Sequence, residues 1–282
     1  MSAVIMEGAP VRDALSITQK ERAERLTRLG HTPCLAAVLA GDDPASQVYV
    51  RNKKRACERL GIRALECRLP GDVTQEALEE QLDALGRDPE VDGILLQLPL
   101  PKHLDARRAF LHIPAEKDAD GLTAAQAGTL IAGGDGVRPC TPRGILKMLD
   151  FYGVPLKGRN AVVIGRSAIV GKPMAMMLLE RDCTVTVCHS RTRDLKKVTS
   201  GAEILVCAVG KPRFVTEDMV APGAAVVDVG INRTPDGLMG DVDFEPVSKK
   251  AAYITPVPGG VGLLTVAMLM ENCLDLAERK LG

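Results

Sequence analysis

Aromatic side chains are nearly missing from this chain: its 282 residues hold no tryptophan, three tyrosines and four phenylalanines. Its cores must therefore be aliphatic, and a flat ligand finds few rings to stack on, which makes Tyr49 conspicuous. Net charge is missing too. Thirty-six basic and thirty-six acidic residues cancel, which argues against a general nucleic-acid or membrane-surface binder while leaving room for a local anion site. No apolar run approaches the roughly 20 residues of a spanning helix; the longest lies around Leu263–Met270. The first ten residues carry no basic stretch followed by an apolar one, so no secretory signal is expected and a cytoplasmic address is the default. None of the eight cysteines forms a C-x-x-C pair, and the four histidines form no H-E-x-x-H. No metal is expected, and thiols such as Cys207, inside the run Leu205–Val209, are expected to be reduced, buried and inert.

What the chain does have is alternation. Arg12–Leu29 is charged, with apolar residues at helical spacing. The apolar run Cys34–Ala40 predicts a buried strand, and Asp42–Ser46 a turn into a helix that ends at Gly61. Ile62–Leu69 reads as a strand, Thr74–Leu85 as a helix, and Gly93–Leu98 as a strand closed by Pro99. Thr141-Pro142 reads as an N-cap and first helical residue of a helix to about Tyr152. Strands are expected at Ala161–Ile164, Thr184–Cys188, Ile204–Val209 and Ala225–Val229. A helix is expected from Gly171 to Glu180, and a last one over Val261–Leu281. The pattern predicts two α/β lobes with parallel sheets and a cleft between them, the last helix returning to the N-terminal lobe. Residues 1–140 form the expected first domain, completed by 262–282, and 141–261 the second, a Rossmann-like domain.

The strand Ala161–Ile164 runs into Gly165-Arg166-Ser167-Ala168-Ile169-Val170-Gly171. A glycine turn between strand and helix lets the backbone approach a pyrophosphate at the helix N-terminus. Taken alone the motif is weak, because Ser167 holds the place of the usual second glycine. The next strand ends at His189-Ser190-Arg191, 24 residues after Gly165. An acid there would serve the ribose of NAD; a hydroxyl and a guanidinium, with Arg166 nearby, suit the 2′-phosphate of NADP, the alternative being that Arg191 and Arg193 are simply solvated. Glycine-closed strand ends at Gly210 and at Gly230-Ile231 are candidates for the nicotinamide pocket, or simple left-handed turns.

In the first half, Ser46, Tyr49 and Lys53 share one helical face that continues into Cys57 and Leu60. A lysine on a stripe that turns from polar to buried loses solvation and becomes a usable proton carrier near neutral pH. On spacing alone a solvated basic surface is the more economical account. Gln97 interrupts an apolar strand at its end, placed either to bond Lys53 or a ligand, or to bond backbone. Lys117–Gly121 is an acidic turn: Asx-turn chemistry accounts for it, and a carboxylate there could also grip the donor array of a pterin.

Together these segments resemble the bifunctional methylenetetrahydrofolate dehydrogenase/methenyltetrahydrofolate cyclohydrolase family over nearly the whole chain. The resemblance rests on Gly41-Asp42-Asp43-Pro44-Ala45-Ser46-x-x-Tyr49-Val50-x-x-Lys53, Gly93–Pro101, and Lys117-Asp118-x-Asp120-Gly121-Leu122. It continues through Pro139-Cys140-Thr141-Pro142, Gly165–Pro173 and Ile254–Gly262. It implies oxidation of 5,10-methylenetetrahydrofolate by NADP, then hydrolysis of the methenyl product to 10-formyltetrahydrofolate. It implies a catalytic lysine at Lys53, a stacking tyrosine at Tyr49, a tuning glutamine at Gln97 and a pterin anchor at Asp120. Ser46, Leu98, Pro258 and Gly259 join the expected folate set. Thr141, Gly165, Arg166, Ser167, Ile169, Ser190, Arg191, Gly210 and Ile231 form the expected NADP set. A homodimer built through the cofactor domain is implied as well. A dehydrogenase with negligible hydrolysis and a non-catalytic NADP-binding sensor are the rival readings. One departure stands out: Leu263-Leu264 occupies the place where the family usually has Pro-Met, which is expected to alter the loop there without loss of activity.

Overall fold

The computed structural model describes residues 3–235 and 237–281. Its strands are β1 (Val4–Ile5), β2 (Cys34–Ala40), β3 (Arg63–Leu69), β4 (Gly93–Leu96), β5 (Asn160–Ile164), β6 (Thr184–Cys188), β7 (Ile204–Cys207), β8 (Ala225–Asp228), β9 (Asn232–Thr234), β10 (Gly237–Met239) and β11 (Tyr253–Ile254). The chain divides into two compact units. One holds Ala14–Cys140 and the segment from Val266 onward; the other holds the segment ending at Asp13 together with Thr141–Thr265.

The first unit is built on a parallel sheet in the order β3-β2-β4. Every residue of β2 is buried, as befits a central strand covered on both faces. The helix Pro44–Leu60 follows β2. Asp43 caps its start, accepting from the Ser46 N–H, and proline stands at its first turn. Its end is a Schellman turn: Gly61 has φ 77°, its N–H reaches Glu58 O, and the Ile62 N–H reaches Cys57 O at 3.0 Å. Thr74 caps the next helix, Gln75–Arg87, through the Ala77 N–H.

The last helix, Val261–Leu281, returns to this unit from Val266 onward. There it lies against the helix Gly8–Arg28, which starts four residues before the expected Arg12. Buried Gln19 donates to Ala267 O and to Glu271, each at 2.9 Å. Arg22 reaches Glu271 at 2.8 Å, Asp275 at 2.6 Å and Glu278 at 2.7 Å.

The second unit holds a six-stranded sheet, β1-β11-β8-β7-β5-β6, in which every pairing is parallel. Chain order reverses at β5, with β6 on one side and β7 on the other, the switch point of a dinucleotide-binding sheet. The first residues depart from the expected domain 1–140: β1 pairs with β11, so the segment through Asp13 sides with the cofactor unit. Two-residue strands carry too little periodicity to be read in advance. The expected cap at Thr141 is also displaced. The helix begins at Cys140, and the Thr141 hydroxyl, already inside its first turn, meets that of Thr265 at 3.0 Å. At the Leu263-Leu264 departure the chain is already helical. Leu264 is fully buried and Leu263 N–H bonds Gly260 O at 3.3 Å, a bond that proline cannot make. Among the described residues no helix is long and apolar enough to cross a membrane.

The Arg22 cluster predicts a measurable loss. Arg22→Ala removes the cation shared by three carboxylates of the last helix; because the guanidinium remains about one-fifth exposed, solvent screens part of the effect, and about 1–2 kcal/mol is expected in urea unfolding.

Candidate functional site

Lys53 sits two-thirds along the Pro44–Leu60 helix, on the stripe that carries Val50, Cys57 and Leu60 into the core. Its Nζ donates to Gln97 Oε1 at 2.9 Å. The other end of that amide is also fixed: Gln97 Nε2 donates to Leu98 O at 2.6 Å, and the Gln97 N–H to Val38 O at 2.9 Å. Both sequence readings of Gln97, partner of Lys53 and backbone-bonded amide, therefore hold at once. The buried carboxamide aims its oxygen at the lysine because its nitrogen is committed to a carbonyl.

Lys53 is half-buried as a residue, and its ammonium is desolvated. That desolvation pushes its pKa down, opposed by the negative charge of Asp120 and by Cys140. Asp120 is brought here by the acidic turn, which runs beside β4: Asp118 forms a parallel bridge with Ile94, and Ala119 N–H reaches Ile94 O at 3.3 Å. The turn itself is made by Asp118, whose carboxylate accepts from the N–H groups of Gly121 at 2.9 Å and Thr123 at 2.7 Å. Asp120 is left half-buried. The turn chemistry considered for this segment thus falls on Asp118, and the Asp120 carboxylate is not used by it.

Tyr49 stands on the same helix, 38% exposed, its ring offered to the exterior of the unit. Ser46 behaves otherwise. It is buried, and its hydroxyl donates to Asp43 Oδ2 at 2.7 Å, so its polar atom serves the helix start. Leu98 is half-buried beside Gln97. Pro258 and Gly259 belong to the other unit, where both are exposed; Gly259 has φ 102° and its carbonyl accepts from the Gly8 N–H at 2.8 Å.

In the second unit the glycine turn is sterically compulsory. Gly165 leaves β5 with φ 124°, and a Cβ there would run into Ala208 O. A Cβ at Gly171 would run into Gly165 O. The backbone of this turn is thus as tight as a dinucleotide-binding turn requires. Ser167 is occupied locally: its Oγ accepts from the N–H groups of Val170 at 3.2 Å and Gly171 at 3.3 Å. Some donors expected for a phosphate at this helix start are therefore met by the chain's own serine. Arg166, Ser167 and Ile169 are exposed on the turn.

The turn after β6 is stiffened by His189 N–H to Thr192 Oγ1 at 2.9 Å and Arg191 N–H to His189 Nδ1 at 3.1 Å. It presents Ser190 and Arg191 to solvent, with no carboxylate between Cys188 and Thr192. Gly210 and Ile231 are exposed after β7 and β8, at the same carboxyl end of the sheet. Thr141 lies in the helix start described above, its hydroxyl against that of Thr265. Two residues of this unit escaped the sequence reading, the buried Asp228 and Asp241. Asp228 accepts from Gly230 N–H at 2.9 Å, Asp241 N–H at 2.8 Å and Val242 N–H at 2.9 Å. The only signal in the sequence was an acid at the end of an apolar strand.

These features define a class, a two-unit α/β protein with a dinucleotide-binding sheet in one unit and a desolvated lysine–glutamine pair in the other. The comparisons narrow it. Residues 6–120 match the family model "Tetrahydrofolate dehydrogenase/cyclohydrolase, catalytic domain", and residues 139–281 match "Tetrahydrofolate dehydrogenase/cyclohydrolase, NAD(P)-binding domain". The chain is 52% identical over 280 residues to a "Bifunctional protein FolD" of Burkholderia pseudomallei, covering 99% of this chain and 98% of that one. A bifunctional FolD methylenetetrahydrofolate dehydrogenase/cyclohydrolase from Campylobacter jejuni superposes with a TM-score of 0.97 at 44% identity, covering 99% and 100% of the two chains. The Trypanosoma brucei methylenetetrahydrofolate dehydrogenase-cyclohydrolase, solved with NADP cofactor and inhibitor, superposes at 0.94 with 39% identity, covering 100% and 99%. The chain belongs to the tetrahydrofolate dehydrogenase/cyclohydrolase family.

One titration follows from this unit alone. Burial raises the Asp228 carboxyl to about 6, against its three backbone donors. The folded state then holds the proton more tightly than the unfolded one. The penalty is absent below the ordinary carboxylate value of about 4, grows as pH rises to about 6, and is constant above that. A carbon-13 titration of the Asp228 carboxyl is expected to show a midpoint near 6; a midpoint at or below about 4 would mean that the hydrogen bonds outweigh burial.

Proposed function

We propose that this chain oxidises 5,10-methylenetetrahydrofolate with NADP and hydrolyses the 5,10-methenyl product to 10-formyltetrahydrofolate. The observation that carries this reading is the Lys53–Gln97 hydrogen bond beside Asp120, in a chain of the dehydrogenase/cyclohydrolase family. Rival readings, a dehydrogenase without hydrolysis and a cofactor-binding sensor, leave a desolvated lysine with a dedicated acceptor unexplained.

Each residue has a physical task. A lysine whose pKa is lowered by desolvation gives up its proton more readily than a solvated one and, once neutral, can take a proton from attacking water, then return one to the ring nitrogen that leaves. Gln97 holds that amine in one direction, and Asp120 limits how far its pKa falls while offering a carboxylate to the pterin donors. Tyr49 supplies the aromatic face that a planar, cationic methenyl folate favours. Leu98 joins the folate set beside Gln97, Pro258 and Gly259 join it with exposed backbone, and Ser46 acts through the helix start.

The second unit suits NADP on its own geometry: two glycines where no side chain fits, and Ser190, Arg191 and Arg166 exposed at the carboxyl end of the sheet with no acid among Cys188–Thr192. Gly165, Arg166, Ser167 and Ile169 would hold the pyrophosphate region, Ser190 and Arg191 the 2′-phosphate, and Gly210, Ile231 and Thr141 the nicotinamide side. Bound NADP supplies the hydride acceptor. We assign the protein to the cytoplasm, where its eight free thiols stay reduced. A homodimer through the cofactor unit is part of the proposal; edge strand β6 leaves Thr184, Thr186 and Val187 exposed for pairing. Partners are folates, not nucleic acid or membrane.

The test is turnover of methylenetetrahydrofolate with NADP and NAD. Lys53→Ser is expected to lower hydrolysis by roughly 10²–10⁴-fold, the range of a lost acid–base group, while NADP binds as before, so that methenyl product accumulates. Unimpaired hydrolysis would remove Lys53 from the mechanism. Arg191→Ala is expected to raise KM for NADP about tenfold, the equivalent of one lost charge-assisted contact of about 1.4 kcal/mol, and to leave KM for NAD unchanged.

A further inference from the structure

The loop after β7 is shaped by a side chain that contacts none of the residues assigned to folate. Asp241 follows the β9–β10 hairpin and is completely buried. Its two oxygens accept four hydrogen bonds. Oδ2 takes the N–H groups of Val209 at 2.6 Å and Gly210 at 3.0 Å; Oδ1 takes the Lys211 N–H at 2.9 Å and Asn232 Nδ2 at 2.9 Å. Three consecutive peptide donors thus converge on one carboxylate, as they do around bound anions. Asp241 is itself held, its N–H donating to Asp228 Oδ1 at 2.8 Å.

Space around the pair is closed by two glycines. A Cβ at Gly230 would collide with the Asp241 carboxylate, and one at Gly240 with that of Asp228. There is no room for a ligand at these oxygens, so what they bind is the loop. The consequence lies on the other side of the same peptides. In a trans peptide N–H and C=O point in opposite directions, so the carbonyls of Ala208, Val209 and Gly210 are turned away from Asp241. Ala208 O is the atom that forbids a side chain at Gly165, which places this loop against the glycine turn at the switch point between β5 and β7. The carbonyls of Val209 and Gly210 are thereby oriented as acceptors at the carboxyl end of the sheet. That is the chemistry required by a carboxamide N–H.

We propose that Asp241 is a positioning residue of the dehydrogenase step: it holds the loop Val209–Lys211 and Asn232 in the arrangement that receives the carboxamide end of the nicotinamide ring. The inference rests on the NADP reading above and names the residue on which that site depends. Asp228 supports it from behind.

The test uses the full chain with Asp241→Asn and Asp241→Ala. NADP binding is measured by calorimetry, dehydrogenase turnover by initial rates, and hydrolysis with supplied 5,10-methenyltetrahydrofolate. For Asp241→Ala the NADP dissociation constant is expected to rise roughly 10- to 100-fold, equivalent to about 1.4–2.8 kcal/mol. Asp241→Asn, which keeps one acceptor oxygen, should fall between it and the wild type. Hydrolysis, which depends on Lys53 in the other unit, should change less than about twofold, since it requires no cofactor contact. A folded Asp241→Ala with wild-type NADP affinity overturns the proposal. So does a loss of NADP binding and hydrolysis in parallel, the mark of a merely structural role. If Asp241→Ala does not fold, Asn232→Ala removes one of the four bonds and leaves the carboxylate in place. A several-fold rise in the NADP dissociation constant then supports the proposal, and no rise overturns it. Failure of the wild-type protein to bind NADP overturns instead the functional reading on which the proposal rests.

Discussion

A protonatable amine taken out of water and given a single fixed acceptor is the constraint around which the first unit is arranged. Lys53 loses solvation because its helix presses a stripe of apolar residues into the core. Its pKa falls for that reason, opposed by Asp120 and Cys140, while Gln97 fixes the direction of the amine. The arrangement is costly, because a charged lysine away from water opposes folding until it is deprotonated. The same helix supplies the compensation. Val50, Ala56, Cys57 and Leu60 are all buried, at roughly 1.5–3 kcal/mol for each large apolar side chain, and both helix ends are capped. The penalty for one desolvated amine is thus carried by the element that bears it.

The second unit solves a different problem, how to bring backbone close to a large anionic ligand. It does so with omissions of side chains rather than with charges. Gly165 and Gly171 are forced by their own neighbours' carbonyls, and Gly230 and Gly240 make way for two buried carboxylates. Those carboxylates organise peptide donors from three separate stretches of chain, the β7 loop, the β8 loop and the hairpin. Few ionisable side chains are needed at the turn itself, and Arg166 and Arg191 stay exposed, as their proposed discrimination between cofactors requires.

Much of this was legible in the sequence because it is written locally. The bounds of β2 and of the last helix, the stop at Gly61, and the proline at the start of the Pro44–Leu60 helix each follow from a few adjacent residues. So does the placement of Gly165 at a strand end. The juxtaposition of Lys53 and Gln97 was visible only as one of two alternatives, since a spacing of 44 residues says nothing until β2 and β4 are known to pair. What was not legible is long-range. Strand β1 is two residues that gain meaning only beside β11. Asp241 looks like any acid after a turn, and its four donors come from 9 to 32 positions away. Ser46 and Ser167 stand in the expected ligand sets through the family resemblance; in the structure their hydroxyls also bond within their own turns, the cheapest satisfaction available to a short hydroxyl side chain.

Among thiols the same physics that activates Lys53 works in reverse. Burial disfavours the charged form of either group, so it makes an amine more reactive, by freeing its lone pair, and a thiol less so, by keeping its proton. Cys57, one helical turn from Lys53, is pushed up to about 12, and Cys207 and Cys273 also rise. Such thiols stay protonated across the physiological range and behave as small apolar fillers. The interiors of the two units can therefore hold such thiols without gaining a competing nucleophile, while Lys53, desolvated in one of them, gains the capacity to move protons. The near absence of aromatic residues fits this division. Aliphatic and sulfur side chains fill the cores, and Tyr49, exposed on the lysine helix, is left available to a planar ligand.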